Sequence, residues 1–179
     1  IFVFDFGYFS VFNEMLNFFN NNKFLQKKLI VNCQSNAYNF GFNLPNKFKY
    51  GEIIGMDEIE FRLCCGDKKT ELNKLIKSNI NIFKNFKILI VTQGKTGCFI
   101  VMKKKITYVP TIFKTAEDTT GCGDVFLTLF ALSSISKDLN EIESALIAHI
   151  AAGLHANLQG NENVITAQNV ISTVKNIIK

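Results

Sequence analysis

Short apolar runs alternate with segments of helical periodicity along the first half of the chain. Residues 1–4 are apolar, and residues 11–19 carry apolar side chains at helical spacing, which is typical of an amphipathic helix. Residues 28–32 and 52–56 are two further strand candidates, and a helix is predicted to open near Asp57. Strands that alternate with helices in this way predict parallel β-α units.

The second half of the chain begins with the same alternation and ends in helices. Residues 69–83 have helical spacing, residues 87–91 form a buried strand candidate, and residues 98–102 and 106–110 are predicted to pair as an antiparallel hairpin. Three helices are predicted to follow, over residues 123–134, 140–158 and 166–178. The whole pattern predicts an α/β fold with helices on both faces of a layered sheet, in which ligands bind beyond the carboxyl ends of the strands.

The composition indicates a soluble, cytoplasmic protein. Hydrophobic residues make up 47% of the 179 residues and charged residues 20%. No apolar run approaches the length of about 18 residues that a membrane-spanning helix needs, so we expect no membrane partner. The chain opens on a strand pattern without an initiator Met or a signal-peptide start, and we therefore expect it to begin inside a larger fold.

Neither the basic charge nor the cysteines point to a further ligand. The net charge is +5, but the lysines are spread along the chain, and Lys103, Lys104 and Lys105 fall where the hairpin turn is expected. A solvated turn explains them better than a nucleic-acid surface. The five cysteines form no C-x-x-C pair, which favours free thiols in a reducing cytoplasm; they are Cys33, Cys64, Cys65, Cys98 and Cys122.

A Gly-rich turn at the start of an apolar helix is the strongest candidate for a catalytic site. The sequence Asp118-Thr-Thr-Gly-Cys-Gly-Asp124 precedes Val-Phe-Leu-Thr-Leu-Phe, so the N-H groups of Gly121, Cys122 and Gly123 can converge on an anion at a helix N-terminus. Asp124 would then be a base beside an anion hole. The alternative is an ordinary helix start with an acidic residue in its first turn.

This turn closely resembles the Asp-Thr-x-Gly-Ala-Gly-Asp signature of ribokinase-type (PfkB-type) sugar kinases. In that family the last Asp takes the proton of the acceptor hydroxyl, and the Gly-Ala-Gly amides stabilise charge on the transferred phosphoryl group. The resemblance implies these roles for Asp124 and for Gly121, Cys122 and Gly123. Cys122 replaces the usual Ala, and because it is similarly small we expect the turn to be preserved.

Two further segments resemble nucleotide-binding positions of the same family. Thr92, Gly94 and Gly97 match its Thr-x-Gly-x-x-Gly segment, whose turn approaches the phosphates and ribose of ATP. His149 matches a position on the helix that lines the adenine pocket; a lone His on an apolar face would otherwise be assigned to the core. A Walker A loop is excluded, because Leu89 stands where that motif needs Gly.

The resemblance also implies metal positions. Asp57 and Glu60 match an Asn-x-x-Glu motif whose acid acts through water on the Mg²⁺ bound to ATP, with Asp57 in place of Asn. Their alternative role is N-capping of the helix that begins there. Some family members bind a monovalent cation such as K⁺ through the Asp that opens the signature and nearby carbonyls, which implies Asp118 and Thr120 here.

A subgroup of the family related to the heptose-7-phosphate kinase domain resembles this chain further. Residues 31–43 contain an Asn-x-Gln-x-Asn run, and residues 56–63 contain Asp-Glu-x-Glu-x-Arg-Leu. The amides of the first run either line a polar pocket or satisfy the backbone of their own loop. The turn after Asp5 is similar to the subgroup's Asp-Tyr/Phe-Gly-x-Gly turn, except that Phe9 replaces the second Gly.

The resemblance covers nearly the whole chain but only the second half of the family fold, so residues 1–179 are expected to be the C-terminal portion of one ribokinase-like kinase domain. The N-terminal part and the lid are missing, and a partner chain or an upstream segment would supply the sugar-binding half. The main hypothesis is ATP-dependent phosphorylation of a sugar or sugar-phosphate hydroxyl. The alternative is a non-catalytic nucleotide-binding or assembly module. A Rossmann dehydrogenase is excluded, because the third Gly of its fingerprint is absent.

Overall fold

Strands alternate with helical segments through the first half of the chain, and a strand pair and three helices follow, as the apolar pattern predicts. The computed structural model describes residues 1–8, 13–113, 115–136, 138–157 and 164–178. Its strands are β1 (Phe2–Asp5), β2 (Ile30–Cys33), β3 (Gly51–Asp57), β4 (Phe86–Thr92), β5 (Gly97–Met102) and β6 (Lys105–Pro110). Its helices are α1 (Asn13–Asn21), α2 (Lys23–Gln26), α3 (Glu58–Cys65), α4 (Leu72–Asn79), α5 (Cys122–Ile135), α6 (Glu141–Ala156) and α7 (Ala167–Ile178), with short 3-10 helices at Pro45–Lys47 and Ile80–Phe83. The predicted α/β class is confirmed.

All six strands form one mixed sheet in the order β1-β2-β3-β4-β5-β6. The first four strands are parallel, and one row of paired residues, Val3, Val31, Ile54 and Leu89, crosses them. Parallel neighbours need crossover connections, whereas the two residues between β5 and β6 leave room only for an antiparallel turn. Both the parallel β-α units and the hairpin are therefore confirmed.

Strands β3 and β4 are buried on both faces. Ile54 and Val91 belong to a core cluster that also contains Phe61 of α3 and Ile76 of α4. The neighbouring strand residue Ile90 points to the other face and is fully buried as well. Burial on both faces is typical of parallel strands and explains why their sequences read as continuous apolar runs.

The chain forms two compact units. The first contains Ile1–Gln93 and Phe99–Tyr108, and the second contains Gly94–Cys98 and Val109–Lys179. In the second unit α5 packs along α6, and the Phe126 and Phe130 rings stack with their centroids 6.2 Å apart. The assignment of the whole chain to one domain stays a prediction.

Several element boundaries differ from those predicted. The helix predicted over residues 69–83 begins only at Leu72, because the Glu71 carboxylate accepts hydrogen bonds from Asn73 N and Lys74 N at its start. Its predicted last turn is the 3-10 helix Ile80–Phe83. Helix α2 and the 3-10 helices were not predicted, since they are too short to show a period. The predicted start at residue 11 and the predicted end at residue 158 lie outside the described residues.

All five cysteines are free thiols, as predicted. Within the part of the chain that the structure describes, no helix combines the length and the apolar character needed to cross a membrane.

Candidate functional site

The predicted anion-binding turn lies at the N-terminus of α5, in the second unit. Gly121 is the residue before the helix and has a left-handed conformation (φ +74°), which favours glycine. The Cys122 N-H donates to Thr119 O at 3.1 Å, so this amide is used inside the turn. The N-H groups of Gly121, Gly123 and Asp124 make no hydrogen bond with any described residue. Of the amides 121–123, the structure thus leaves two without a partner among the described residues, and their role in anion binding stays a prediction.

The turn is open to solvent at Gly123. Gly123 is exposed, and a Cβ built on it would have no atom within 4 Å. A Cβ on Gly121 would lie 3.3 Å from His155 Nε2. The side-chain side of Gly123 is therefore open among the described residues.

Asp124 has the environment of a proton acceptor. It lies in the first turn of α5 and is half-buried. Its carboxylate makes no hydrogen bond or ion pair with the residues that the structure describes, and burial raises its pKa above the ordinary value for Asp. A carboxylate with a raised pKa is a better general base, because its proton affinity is closer to that of the group it must deprotonate.

The C-terminal end of α6 holds the turn in place. Ala156 O accepts the N-H groups of Glu117 and Asp118 at 2.9 and 3.0 Å, which satisfies a carbonyl that would otherwise have no partner at the helix end. His155 Nε2 lies 3.0 Å from Thr120 O; a carbonyl only accepts, so the ring donates from Nε2. His155 was not predicted, although a His in the last turn of a helix is a known capping signal.

The Cys122 thiol is a packing group in this turn. Its Sγ lies 3.6 Å from Ala152 O and 3.7 Å from Asp118 O. Burial, with a smaller contribution from the Asp118 carboxylate, raises the thiol pKa. A protonated thiol that contacts two carbonyls supports the interpretation of Cys122 as a small replacement for Ala and gives no sign of an activated thiolate.

Asp118 and Thr120, the predicted monovalent-cation positions, contact each other. Asp118 Oδ1 accepts the Thr120 N-H at 2.8 Å, and the hydrogen bonds from Thr120 hold the Asp118 pKa below its usual value. Thr120 O is already the acceptor for His155. These contacts fix the turn, and a role in cation binding stays a prediction.

His149 is buried in the second unit, on α6. Its ring meets the Phe126 ring edge-on with centroids 4.8 Å apart. Burial lowers its pKa to about 4, against a smaller opposite effect of a hydrogen bond with the Val109 backbone. His149 Nε2 has no hydrogen-bond partner among the described residues. The ring is therefore neutral at pH 7 and suits a positioning role.

The two glycines of the Thr-x-Gly-x-x-Gly segment have different reasons to be glycine. Gly97 (φ +142°) faces the backbone of β6, where an added Cβ would lie 2.3 Å from Val109 O. Gly94 (φ +53°) is exposed, and its added Cβ would meet nothing within 4 Å. Thr92 ends β4 in the first unit, with its Oγ1 3.5 Å from Met56 O. Gly97 is thus required by packing, whereas Gly94 leaves a turn open to solvent.

Asp57 and Glu60 form a capping box at the start of α3, in the first unit. Asp57 Oδ1 accepts the Glu60 N-H at 2.7 Å, and Glu60 Oε2 accepts the Asp57 N-H at 2.9 Å. Glu60 is buried, and its Oε1 also accepts the Ser35 N-H at 2.8 Å. The N-cap role of Asp57 is confirmed. The structure gives Glu60 a structural role, and its action on Mg²⁺ stays a prediction.

The amide side chains of the Asn-rich loop after β2 hydrogen-bond to the backbone at the end of β1 and to the backbone of their own loop. Asn39 Nδ2 donates to Phe6 O, and Asn43 Nδ2 donates to Asp5 O, both at 2.9 Å. Lys47 forms an ion pair with Asp5. Of the two interpretations of these amides, the contacts favour loop stabilisation over a polar pocket. The predicted departure at Phe9 lies outside the described residues.

Most of the chain matches the model of one protein family. A family model for pfkB family carbohydrate kinases matches residues 12–166. The chain belongs to the pfkB carbohydrate kinase family. The Asp118–Asp124 signature and α5 lie inside the matched range.

Individual relatives include sugar kinases, and each shares only part of its length with this chain. An uncharacterized sugar kinase of Buchnera aphidicola is 28% identical over 134 residues, which cover 74% of this chain and 38% of the relative. The bifunctional protein HldE of Haemophilus influenzae is 27% identical, over 68% of this chain and 26% of its own length. The structure of Arabidopsis thaliana ribokinase complexed with ribose and ATP has a TM-score of 0.68 at 20% identity, over 82% of this chain and 47% of the ribokinase. This structure shares the fold, and the chain spans half or less of each of these proteins.

Proposed function

We propose that this chain carries the nucleotide-binding and phosphoryl-transfer residues of an ATP-dependent carbohydrate kinase. The observation that carries the proposal is the start of α5, where the half-buried Asp124 carboxylate follows the open amides of Gly121 and Gly123. Its raised pKa suits a base, and the amides suit a phosphoryl oxygen. Membership of the pfkB family supports the same chemistry.

Asp124 takes the proton of the acceptor hydroxyl as that oxygen bonds to the γ-phosphorus of ATP. The bond between this phosphorus and the β-γ bridging oxygen breaks, and ADP leaves with the bond's electron pair. The amides of Gly121 and Gly123 stabilise the negative charge on the transferred group, since their N-H groups are already oriented. No covalent bond to the protein is needed.

The remaining predicted positions hold the nucleotide and its metal. Thr92, Gly94 and Gly97 belong to the segment proposed to contact the phosphates and ribose, in which Gly97 holds the turn by its packing on β6, and the neutral His149 is proposed to border the adenine. Mg²⁺ bound to ATP would neutralise phosphate charge during transfer. Both Glu60 oxygens accept backbone N-H groups, which fits an acid that reaches the ion through water instead of by direct ligation.

K⁺ belongs to the proposal as an activator of the signature turn. The ligands would be the Asp118 carboxylate and the Thr120 carbonyl. Because that carbonyl accepts a hydrogen bond from His155, K⁺ would share this oxygen with the ring. Phosphoryl transfer measured in KCl and in an equal concentration of NaCl tests this part separately.

The proposed substrate is a sugar or sugar-phosphate hydroxyl, with heptose 7-phosphate as the first candidate. The support is the resemblance of residues 31–43 and 56–63 to the heptose-7-phosphate kinase subgroup, together with the similarity to HldE of Haemophilus influenzae. The chain is proposed to be the C-terminal portion of one kinase domain, whose sugar-binding half lies upstream or on a partner chain. Free thiols support a cytoplasmic location.

The first test is calorimetric titration of the 179-residue chain with Mg-ATP. We expect saturable binding that is lost in Gly123→Val, because the two added methyl groups would occupy the phosphate's approach. The open space around Gly123 predicts that this variant folds. Ala167→Val, in the first turn of α7 and exposed, is the matched control and should bind as the parent does. Equal binding by Gly123→Val would overturn the anion hole.

Turnover with sugar and sugar-phosphate acceptors in the complete kinase tests the catalytic step. Asp124→Asn should lower kcat by about 10³-fold or more, within the range seen for loss of essential catalytic groups, with little change in nucleotide affinity. Asp138→Asn, an exposed carboxylate outside the site, is the control. Tight ATP binding without transfer by the unaltered protein would instead establish the non-catalytic module.

A further inference from the structure

A cavity on the first unit combines an apolar interior with a basic rim. Its volume is about 300 Å³, at the lower end of the range for small-molecule sites. Phe83, Phe86, Leu89 and Val101 line it and belong to the core cluster of that unit. The cavity is therefore walled by residues whose positions the core fixes.

Four lysines also line this cavity, namely Lys84, Lys87, Lys103 and Lys104. Among the described residues that line it, none is acidic. Lys87 pairs with Glu52 at 2.5 Å, whereas Lys84, Lys103 and Lys104 form no ion pair with any residue that the structure describes. Three uncompensated ammonium groups around one opening repel each other and attract an anion.

The turn that presents two of these lysines has an unfavourable backbone. Lys103 and Lys104 have φ values of +50° and +65°, and two-residue hairpin turns of this type strongly prefer Asn-Gly or Gly-Gly. A side chain at a left-handed position is strained. Strain of this kind is tolerated where the side chains serve a purpose, and the cavity beside the turn supplies one.

The cavity is separate from the predicted nucleotide positions of the same unit. It lies against the start of β4, at Phe86 to Leu89, whereas Thr92 ends that strand. At about 3.3 Å per residue, Thr92 lies about 10 Å beyond Leu89, the last β4 residue that lines the cavity. A ligand in the cavity would therefore not occupy the Thr92 end of the strand.

We propose that this cavity binds a small amphiphilic anion, a molecule with an aromatic or other apolar body and one phosphate or carboxylate group. The body fills the space between the phenylalanines and Val101. The anionic group meets the Lys84, Lys103 and Lys104 ammonium groups at the rim. An anion without the apolar body gains only the exposed charge contacts, which are weak in water.

Nuclear magnetic resonance titration with 1-naphthyl phosphate tests the site directly. We expect the largest shifts of backbone N-H signals over residues 81–84 and 101–104, unchanged by saturating Mg-ATP. 1-Naphthol and inorganic phosphate, which are the body and the charge alone, should each bind at least about tenfold more weakly. Shifts that are absent up to millimolar concentration, or equal affinity for either fragment, would overturn the proposal.

Matched double variants separate the rim from general charge. Lys103→Gln with Lys104→Gln should weaken 1-naphthyl phosphate binding about tenfold. The arginine pair at the same positions should retain binding. Lys68→Gln with Lys69→Gln, two adjacent exposed lysines of the same unit, should change it less than about twofold. An equal loss in both glutamine pairs contradicts a built site, and circular dichroism confirms that each variant is folded.

Discussion

Asp124, at the start of α5, is a candidate catalytic base whose charged form destabilises the folded protein. Asp124 is half-buried, and burial raises its pKa. The neutral carboxyl is therefore more favoured in the folded protein than in the unfolded chain. Its contribution to stability is fully present below the unfolded pKa of Asp and is lost as pH rises through the higher folded pKa. At neutral pH the charged carboxylate therefore destabilises the fold that holds it.

Asp124→Asn should accordingly raise the melting temperature at pH 7 while it lowers kcat. The gain should shrink as pH falls and disappear below the unfolded pKa of Asp, where the carboxyl is neutral in both states. Thermal unfolding followed by circular dichroism from pH 3 to pH 8 measures it, with Asp138→Asn as the exposed control. If the attraction between the carboxylate and the helix N-terminus outweighs burial, the variant would instead be less stable at pH 7.

Some residues of the candidate site can be identified from the sequence, and others only from the fold. Asp124, Gly121 and His149 could be selected from the sequence because the family pattern fixes their spacing. His155 carries only the general signal of a His in the last turn of a helix, and its contact with Thr120, which lies 35 positions earlier in the chain, exists only in the folded protein. The engaged Cys122 amide is also a property of the folded turn.

At the scale of elements, the β5-β6 hairpin explains why one predicted phosphate-binding glycine is structural. Gly97 allows the backbones of β5 and β6 to approach closely, whereas the space around Gly94 is open. Gly97 is therefore needed for strand packing, whereas Gly94 leaves its turn accessible to solvent. The hydrophobic pattern located both strands, but the pattern does not show which glycine touches the opposite strand.

Gly97→Ala should lower the free energy of unfolding by roughly 2–4 kcal/mol, because it adds a clash with Val109 O to an unfavourable φ. Gly94→Ala should cost only about 1 kcal/mol, from its left-handed φ alone. Urea unfolding of the two variants under the same conditions gives the difference. Equal losses would mean that the close approach at Gly97 relaxes without cost.

Across the whole molecule, burial raises the pKa of all five cysteine thiols. Desolvation raises the pKa of Cys64 and Cys98 to about 12 and that of Cys65 to about 11. The Cys33 and Cys122 pKa values are raised by the same cause. Since the thiolate is the reactive form, native structure should suppress thiol chemistry throughout the chain.

Labelling with a maleimide at pH 7 should therefore be about 100-fold slower in the native protein than in 8 M urea for Cys33 and Cys98, which are buried. Cys122 should react faster than these two because it is partly exposed, yet slower than a free thiol in solution. Mass spectrometry of labelled peptides resolves the five sites. Rapid native labelling of Cys122 would contradict its assignment as a packing group.

The sequence alone determined the order of strands and helices, the hairpin, the free thiols and the candidate signature. The elements and the hairpin follow from local periodicity and turn chemistry, which neighbouring residues specify. The free thiols follow from the absence of a C-x-x-C pair, and the signature from its resemblance to the family. The tertiary structure decided which polar groups remain available. Asn39 turned out to support the backbone at Phe6, Glu60 to tie α3 to Ser35, and Lys103 to border an apolar cavity. Each depends on residues distant in sequence, because a hydrogen bond or a cavity exists only when the fold brings both sides together.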